Sequence, residues 1–343
     1  MAVACCDTTF AGQAGLRYIP TLSLGLGPLD AELSANGIGS WSARGDSSFV
    51  IRHSTFDIAA KPYRAWLRYS AARFEARAGL QKLAFGSATL LRPLQWFDRI
   101  DPRDPLGLTD GVYAALARYW FQNNANLWAW GLIGNSVPKG WEKVATNRWR
   151  PEFGGRAQLP LSRGEIALTF HHRWYDLRYS GNLPVIVPNQ SEDRLGLDAK
   201  MDVGPGLWFE GTATRQTLGG DSAFWTRMAC IGVDYTFRLG SGLYLCVEHL
   251  GLGSGEGPFL GQTGQVTSVL VSYPLGLLDN LRAIVLVDWQ TKDVYRYAGW
   301  QRTYDRWLFN VAAFWNPEQP AGPAGTGAGA AGKGIQVTAA FNH

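Results

Sequence analysis

Between Tyr63 and Gln81 the chain changes polarity at almost every residue. Tyr63, Ala65, Leu67 and Tyr69 alternate with Arg64, Trp66, Arg68 and Ser70, and Phe74, Ala76, Ala78 and Leu80 then alternate with Arg73, Glu75, Arg77 and Gln81. A period of two is the signature of a strand with one apolar and one polar face, so the stretch predicts a tight hairpin around Ala71–Arg73. The pattern recurs at 150–160, where Arg150, Glu152, Arg156 and Gln158 oppose Phe153, Ala157 and Leu159. It recurs again at 164–176, where Glu165, Thr169, His171 and Arg173 oppose Ile166, Leu168, Phe170 and Trp174.

Read this way, the sequence predicts sixteen strands: 14–26, 29–41, 56–70, 73–84, 111–121, 126–135, 150–160, 164–177, 192–203, 206–217, 224–239, 242–252, 264–274, 281–290, 305–316 and 334–343. Most reach the ~9–11 residues that a tilted strand needs to cross a bilayer. Short connections (SRG, PG, GSG) take turns with longer ones (85–110, 136–149, 178–191, 253–263), as the short periplasmic turns and long external loops of a membrane barrel do. The Gly-rich GLGSGEG at 251–257 reads as a loop. The predicted fold is all-β: a transmembrane antiparallel β-barrel of 16–18 strands forming one domain over 1–343, with an ill-defined N-terminus at 1–12.

Strand parity refines the count. The last strand, with Ile335, Val337, Ala339 and Phe341 outward, should run down to the periplasm, yet sixteen strands then put the short turns outside. A further strand in 294–303 and one more at the N-terminus restore the order. Eighteen strands result, with both termini periplasmic and the Gly/Ala/Pro stretch 317–333 as an external loop.

Composition supports strands over helices. Charged residues make up 17% of the chain and aromatics 13%, with 41 Gly and only 3 Met, which suits turns and pleated sheets. The longest aliphatic runs, such as AIVLV at 283–287, fall far short of the ~20 apolar residues of a membrane helix. A soluble β-sandwich also alternates, but it needs about half as many strands, and here the polar face is ionic. That face carries twelve cationic and nine anionic residues by this phasing. A barrel with apolar residues outward and charges inward avoids the ~2–4 kcal/mol that Arg or Lys costs at mid-bilayer. Trp120, Trp128, Trp225, Trp289, Trp300, Trp307 and Trp315 fall near strand ends, where interfacial girdles form.

Candidate chemistry is sparse. Cys5, Cys6, Cys230 and Cys246 show no metal-ligand spacing, so no metal and no cofactor is expected. If strands 224–239 and 242–252 pair around GSG, Cys246 faces Asp234 and Cys230 faces Leu250; the offset favours free thiols over a disulfide. His171 phases inward, His172 and His249 outward, and none has a serine in register for acyl transfer. Asp98, Asp101, Asp104 and Asp110 could serve as paired acids, but interleaved Arg99 and Arg103 would hold them ionised in salt bridges. No catalytic residue is assigned. Basic residues alternate along strands without gathering on one surface, which argues against nucleic acid as a partner. The start, MAVACCDTTFAG, lacks a basic n-region and an apolar h-region; the expectation for an exported chain is a signal upstream of Met1 or already removed.

Taken together, the hairpin KPYRAWLRYS…FEARAGLQKLAFGSATLL, the loop WFDRIDPRDP and the final strand IQVTAAFNH resemble Gram-negative outer-membrane porin and exporter barrels, in particular a porin-like, alginate-export-like group. The resemblance implies an outer-membrane location and passive passage of small hydrophilic or acidic solutes. From the residues themselves comes a polar, slightly positive lumen with Arg64, Arg68, Arg73, Glu75, Arg77, Arg118, Arg150, Glu152, Arg156 and Arg173 lining the pore. The long loop 85–110 is expected to fold inward as a constriction built on Asp98, Arg99, Asp101, Arg103 and Asp104, with Trp96 and Phe97 against the wall. The expected partners are outer-membrane lipid, small polar solutes, and a protein partner or further copies of the chain. A structural barrel that binds partner proteins, and more weakly a barrel hydrolase, remain open as alternatives.

Overall fold

The computed structural model describes residues 10–45, 51–179, 185–218, 222–257, 262–317 and 332–342. Their secondary structure consists of strands: β1 (Phe10–Tyr18), β2 (Thr21–Leu26), β3 (Leu29–Gly45), β4 (Ile51–Ser70), β5 (Phe74–Gln81), β6 (Val112–Trp120), β7 (Asn126–Leu132), β8 (Glu152–Leu161), β9 (Gly164–Tyr179), β10 (Val185–Asp202), β11 (Gly206–Thr217), β12 (Ala223–Phe237), β13 (Leu243–Gly255), β14 (Gln262–Pro274), β15 (Asp279–Asp288), β16 (Val294–Thr303), β17 (Trp307–Trp315) and β18 (Lys333–Phe341). All 18 join one antiparallel sheet in which neighbours in sequence pair in space from β2 to β18.

Two strands share one edge. β1 pairs with the upper part of β3 (Phe10 opposite Gly45) and β2 with its lower part (Leu26 opposite Leu29). They therefore form one stave, the predicted 14–26 strand extended to Phe10. It is broken around Pro20, which has no N–H to give to the ladder but accepts from the Ala35 N–H through its carbonyl. The expected additional N-terminal strand has no counterpart among the described residues, and residues 1–9 lie outside them. Phe10 stands at the long-loop end and Phe341 at the short-turn end; the expected periplasmic N-terminus falls on residues 1–9, outside the described residues.

The strand anticipated in 294–303 is present as β16, and with it every connection falls on its proper side. The stretch GLGSGEG is corrected from loop to ladder, because Gly251 to Gly255 pair with β12 in the upper part of β13. Most of the predicted external loop at 317–333 lies outside the described residues.

The two faces differ as the alternation demands. Outward side chains are large, apolar and uncovered, among them Leu195 at 50%, Ile231 at 59% and Ile335 at 76% exposure. In water each would forgo the ~1.5–3 kcal/mol that burying such a side chain provides; hydrocarbon removes that loss. Inward side chains on the neighbouring strands β9, β11 and β13, such as Glu210, Glu248, His171 and Arg173, are fully buried. A sheet whose ionic residues are buried and whose Leu and Ile residues are bare is an inside-out fold, and a lipid-facing barrel makes sense of it.

The inner face is not uniformly ionic, contrary to expectation. From β12 to β17 it presents Met228, Cys230, Cys246, Leu250, Val266, Leu270, Ile284 and Ala312, which pack as one apolar cluster with Ala88, Leu90 and Leu91 of the long connection after β5. These strands are apolar on both faces because their inner face meets protein instead of water.

Candidate functional site: a long loop folded into the lumen

The connection 82–111 does not stay outside. Leu83, Phe85, Leu94, Trp96 and Phe97 are buried against Val112, Leu116, Trp130 and Leu132 of β6 and β7. Phe97 meets the Trp130 ring edge-on at 5.8 Å and the His171 ring at 4.9 Å, a geometry that aromatic quadrupoles favour. Trp96 and Phe97 thus sit against the wall as their positions suggested.

Polar anchoring falls to wall residues that sequence reasoning placed inside but gave no role. The Glu248 carboxylate accepts the backbone N–H groups of Thr89 (2.5 Å), Leu90 (2.9 Å) and Leu91 (2.6 Å), and the Trp208 indole N–H at 3.1 Å. Glu210 accepts from the N–H groups of Ala88 (2.6 Å) and Leu94 (3.1 Å). A turn inside a lumen leaves its N–H groups without water, so they need acceptors, and charged acceptors are the stronger kind. At the far end of the loop Arg64 donates to the Thr109 carbonyl at 2.9 Å. Gly196 lies beneath the loop; a Cβ there would collide with the Leu94 side chain and press on Trp96.

A second connection, 133–151, closes in beside the first. Its Lys139 and Glu142 are buried, an inward role that no local pattern suggests because both partners lie far along the chain. Lys139 bridges to Glu152 at 2.9 Å, Glu142 to Arg194 at 2.8 Å and to Arg173 at 3.3 Å, and Arg173 to Glu192 at 2.7 Å. Three cations and three carboxylates therefore balance one another with their side chains buried. His171 joins through Nε2, 3.0 Å from Glu152, while the Trp130 N–H donates to its Nδ1 at 3.2 Å. That donation fixes the tautomer with the proton on Nε2, directed at Glu152. Arg156 holds Asp198 through both nitrogens at 2.6 and 2.8 Å.

The predicted pore residues thus separate into groups. Glu152, Arg156 and Arg173 belong to the buried lattice, and Arg64 clasps the loop. Arg68 pairs with Asp30 at 2.8 Å, while Arg77 and Arg118 flank Glu75 at 3.6 and 3.8 Å; Arg77 lies near Trp66 and Arg118 over Trp128. Trp128 is accordingly a lumen residue and leaves the predicted girdle. Two positions are corrected. Arg73 is exposed in the short turn before β5, and Arg150 is exposed above β8 with its guanidinium over the Trp174 ring. Each lies one or two residues beyond the paired ladder, where alternation no longer decides a side.

Within the expected constriction the pairing is partly different. Asp101 and Arg103 form a two-pronged pair at 2.9 and 2.7 Å. Asp98 pairs with Arg92 at 2.8 Å, not with its neighbour Arg99, which reaches across to the Gly140 carbonyl at 3.0 Å. Asp104 accepts from the backbone of Leu106 and Leu108. Below the loop, toward the short turns, a cavity of about 340 Å³ remains, lined by Arg103, Tyr244, Ser272, Asn280, Arg282, Tyr297 and Asn310 among others. Among the described residues Arg282 has no ion-pair partner. Cys246 faces Asp234 and Cys230 faces Leu250, the register anticipated, and both are buried free thiols.

An antiparallel barrel with a lipid-facing exterior and a loop strapped across its interior defines the class: an outer-membrane-type β-barrel. No family model and no curated protein matches the chain. Among solved structures it is similar to OccAB1 of Acinetobacter baumannii, at 9% identity over 96% of this chain and 95% of that one, with a TM-score of 0.51. It is likewise similar to OccK7 (OpdD) of Pseudomonas aeruginosa, at 11% identity over 96% and 91%, also with a TM-score of 0.51. Likeness at such identity is one of fold, and none of these matches places the chain in the alginate-export-like group.

Proposed function

We propose that this protein is an outer-membrane, porin-like channel for small polar solutes with a leaning toward anions, whose bore is set by the 82–111 loop. The observation that carries the reading is the seating of that loop on Glu210 and Glu248, with a polar cavity remaining beneath it. The charges around it lean cationic: Arg282 and Arg103 line that space, Arg103 being paired with Asp101, and on the inner face of β5 and β6 Arg77 and Arg118 share the one carboxylate of Glu75, while Arg68 is matched by Asp30. Charges that line a narrow polar passage bias which ions enter. No residue is assigned a catalytic part.

Planar-bilayer recordings test the reading. Stepwise currents with a reversal potential displaced toward the anion value are expected; a silent, correctly folded protein would sink it. Removing residues 87–105 should raise the single-channel conductance several-fold, and an unchanged step would show that the loop does not set the bore. The buried lattice around Lys139 and Glu142 favours a second reading, a structural barrel that holds partner proteins, because it fills the upper lumen. A silent bilayer together with a partner co-purifying at fixed ratio would select it.

A further inference from the structure

We propose that the outer face of β8–β12, at the long-loop end, is a docking surface for the phosphorylated headgroup of a lipid in the external leaflet. The inference rests on the outer-membrane placement above, and not on conduction. Four arginines meet there. Arg150 and Arg148 stand exposed beside the upper end of β9, over the Trp174 and Trp149 rings respectively. Arg215 of β11 faces outward, since Trp208, Glu210 and Thr212 on the same strand are buried within. Arg227 of β12 phases outward between inward-facing Met228 and Thr226, its guanidinium lying over Gly253 of β13.

The register sets these side chains in one band. Segment 146–150 runs beside β9; β9 pairs with β10, β10 with β11 so that Asp193 faces Arg215, and Arg215 faces Trp225 of β12. At ~4.8 Å per strand, Arg150 and Arg215 are roughly 14 Å apart across the sheet, a span suited to a broad headgroup and not to a lone ion. Among the described residues two acidic ones share the face, and each has a neighbour: Asp193 lies 2.7 Å from the His172 imidazole, and Asp176 accepts from Asn147 and the Asn189 N–H. The described part of the band is therefore positive in balance.

Height completes the argument. Below Arg215 the outward positions are Ala213, Gly211, Phe209 and Leu207, and below Asp193 they are Leu195, Leu197, Ala199 and Met201. The nine residues from Arg215 to Leu207 run about 26 Å along the strand, which at the ~35–45° tilt of barrel strands is about 20 Å of height, close to the ~25 Å apolar belt of an outer-membrane barrel. Arginines at its upper edge stand where headgroups begin. Guanidinium groups bind phosphate oxygens in a two-pronged fashion, and the flanking tryptophans suit the boundary between acyl chain and headgroup. Elsewhere at this height the outer face carries a single arginine, Arg296 of β16 beside Trp315, among the residues in described strands β13–β18.

The test uses the full chain in detergent micelles, titrated with diphosphoryl lipid A and with its phosphate-free counterpart and read by native mass spectrometry. Wild type is expected to retain the phosphorylated lipid at least about tenfold better, and the triple variant R150Q/R215Q/R227Q to lose about tenfold in affinity while R296Q stays within about twofold. Equal retention of both lipids by wild type, or no loss in the triple variant, would overturn the proposal. Should the triple variant fail to insert, R215Q alone carries the test, with a loss of about threefold expected and no change overturning it. Failure of conduction in the bilayer experiment leaves this outcome untouched, so the two readings fall separately.

Discussion

Glu248 shows how much one side chain can organise. Its carboxylate closes three consecutive backbone N–H groups and an indole N–H, so Glu248→Gln removes the charge from four hydrogen bonds without changing volume. The amide can still accept at one oxygen but brings two donors into a site that offers only donors. The expected outcome is a loop loosened by about 1–3 kcal/mol, seen as rapid flicker between conductance levels with the barrel's resistance to heat unfolding retained. Glu192→Ala acts on a different quantity. It strips one of the two carboxylates shared by buried Arg173 and Arg194, leaving them Glu142 alone, and breaking a buried ion network costs about 3–5 kcal/mol, so urea unfolding in lipid should shift to markedly lower denaturant. Gly196→Val is the steric counterpart, since its side chain enters the space of Leu94 and Trp96. It should push the loop off the wall and raise conductance with little effect on the ladder, because Gly196 pairs regularly on both sides.

At the scale of strands and loops, legibility followed the physics of each segment. β9 and β10 could be read outright because their buried face is ionic and their lipid face aliphatic, so alternation had a large amplitude. The register of β12 and β13, with Cys246 facing Asp234, followed from a short GSG turn that leaves no slack. Diamide treatment of the folded protein should accordingly leave Cys230 and Cys246 unlinked, both titrating with thiol reagent only after unfolding. β16 was harder to see because its sign is inverted: Tyr295 and Tyr297 point inward and are buried, while Arg296 lies outward and exposed. Polarity alone then misleads, and only the parity of the connections demanded a strand. The inward loops were legible in length and in their aromatic pair but not in their anchors, since Glu248 lies more than a hundred residues from the amides it holds, and no local period encodes such a contact.

Across the whole molecule, the lumen divides into an upper part filled by two loops and a lower part that keeps a polar cavity of about 340 Å³. The residues for selectivity should therefore be sought low in the barrel. Arg68→Gln combined with Arg77→Gln removes two charges near the short turns and should move the reversal potential toward cations. Arg73→Gln, in the exposed turn, should leave it in place. Equal effects of the two would mean that charge at the mouth, and not inside, governs permeation. The arginines of the outer face belong to neither group and should change neither conductance nor selectivity.

The strap at 88–94 is held by its main chain, with Glu210 and Glu248 gripping amides that every residue except proline possesses. The wall thus specifies the path of this loop while leaving much of its side-chain identity free. A barrel built this way offers an exchangeable aperture: segments of different sequence but the same turn could be seated on the same two carboxylates, and the bore retuned without redesigning a single strand.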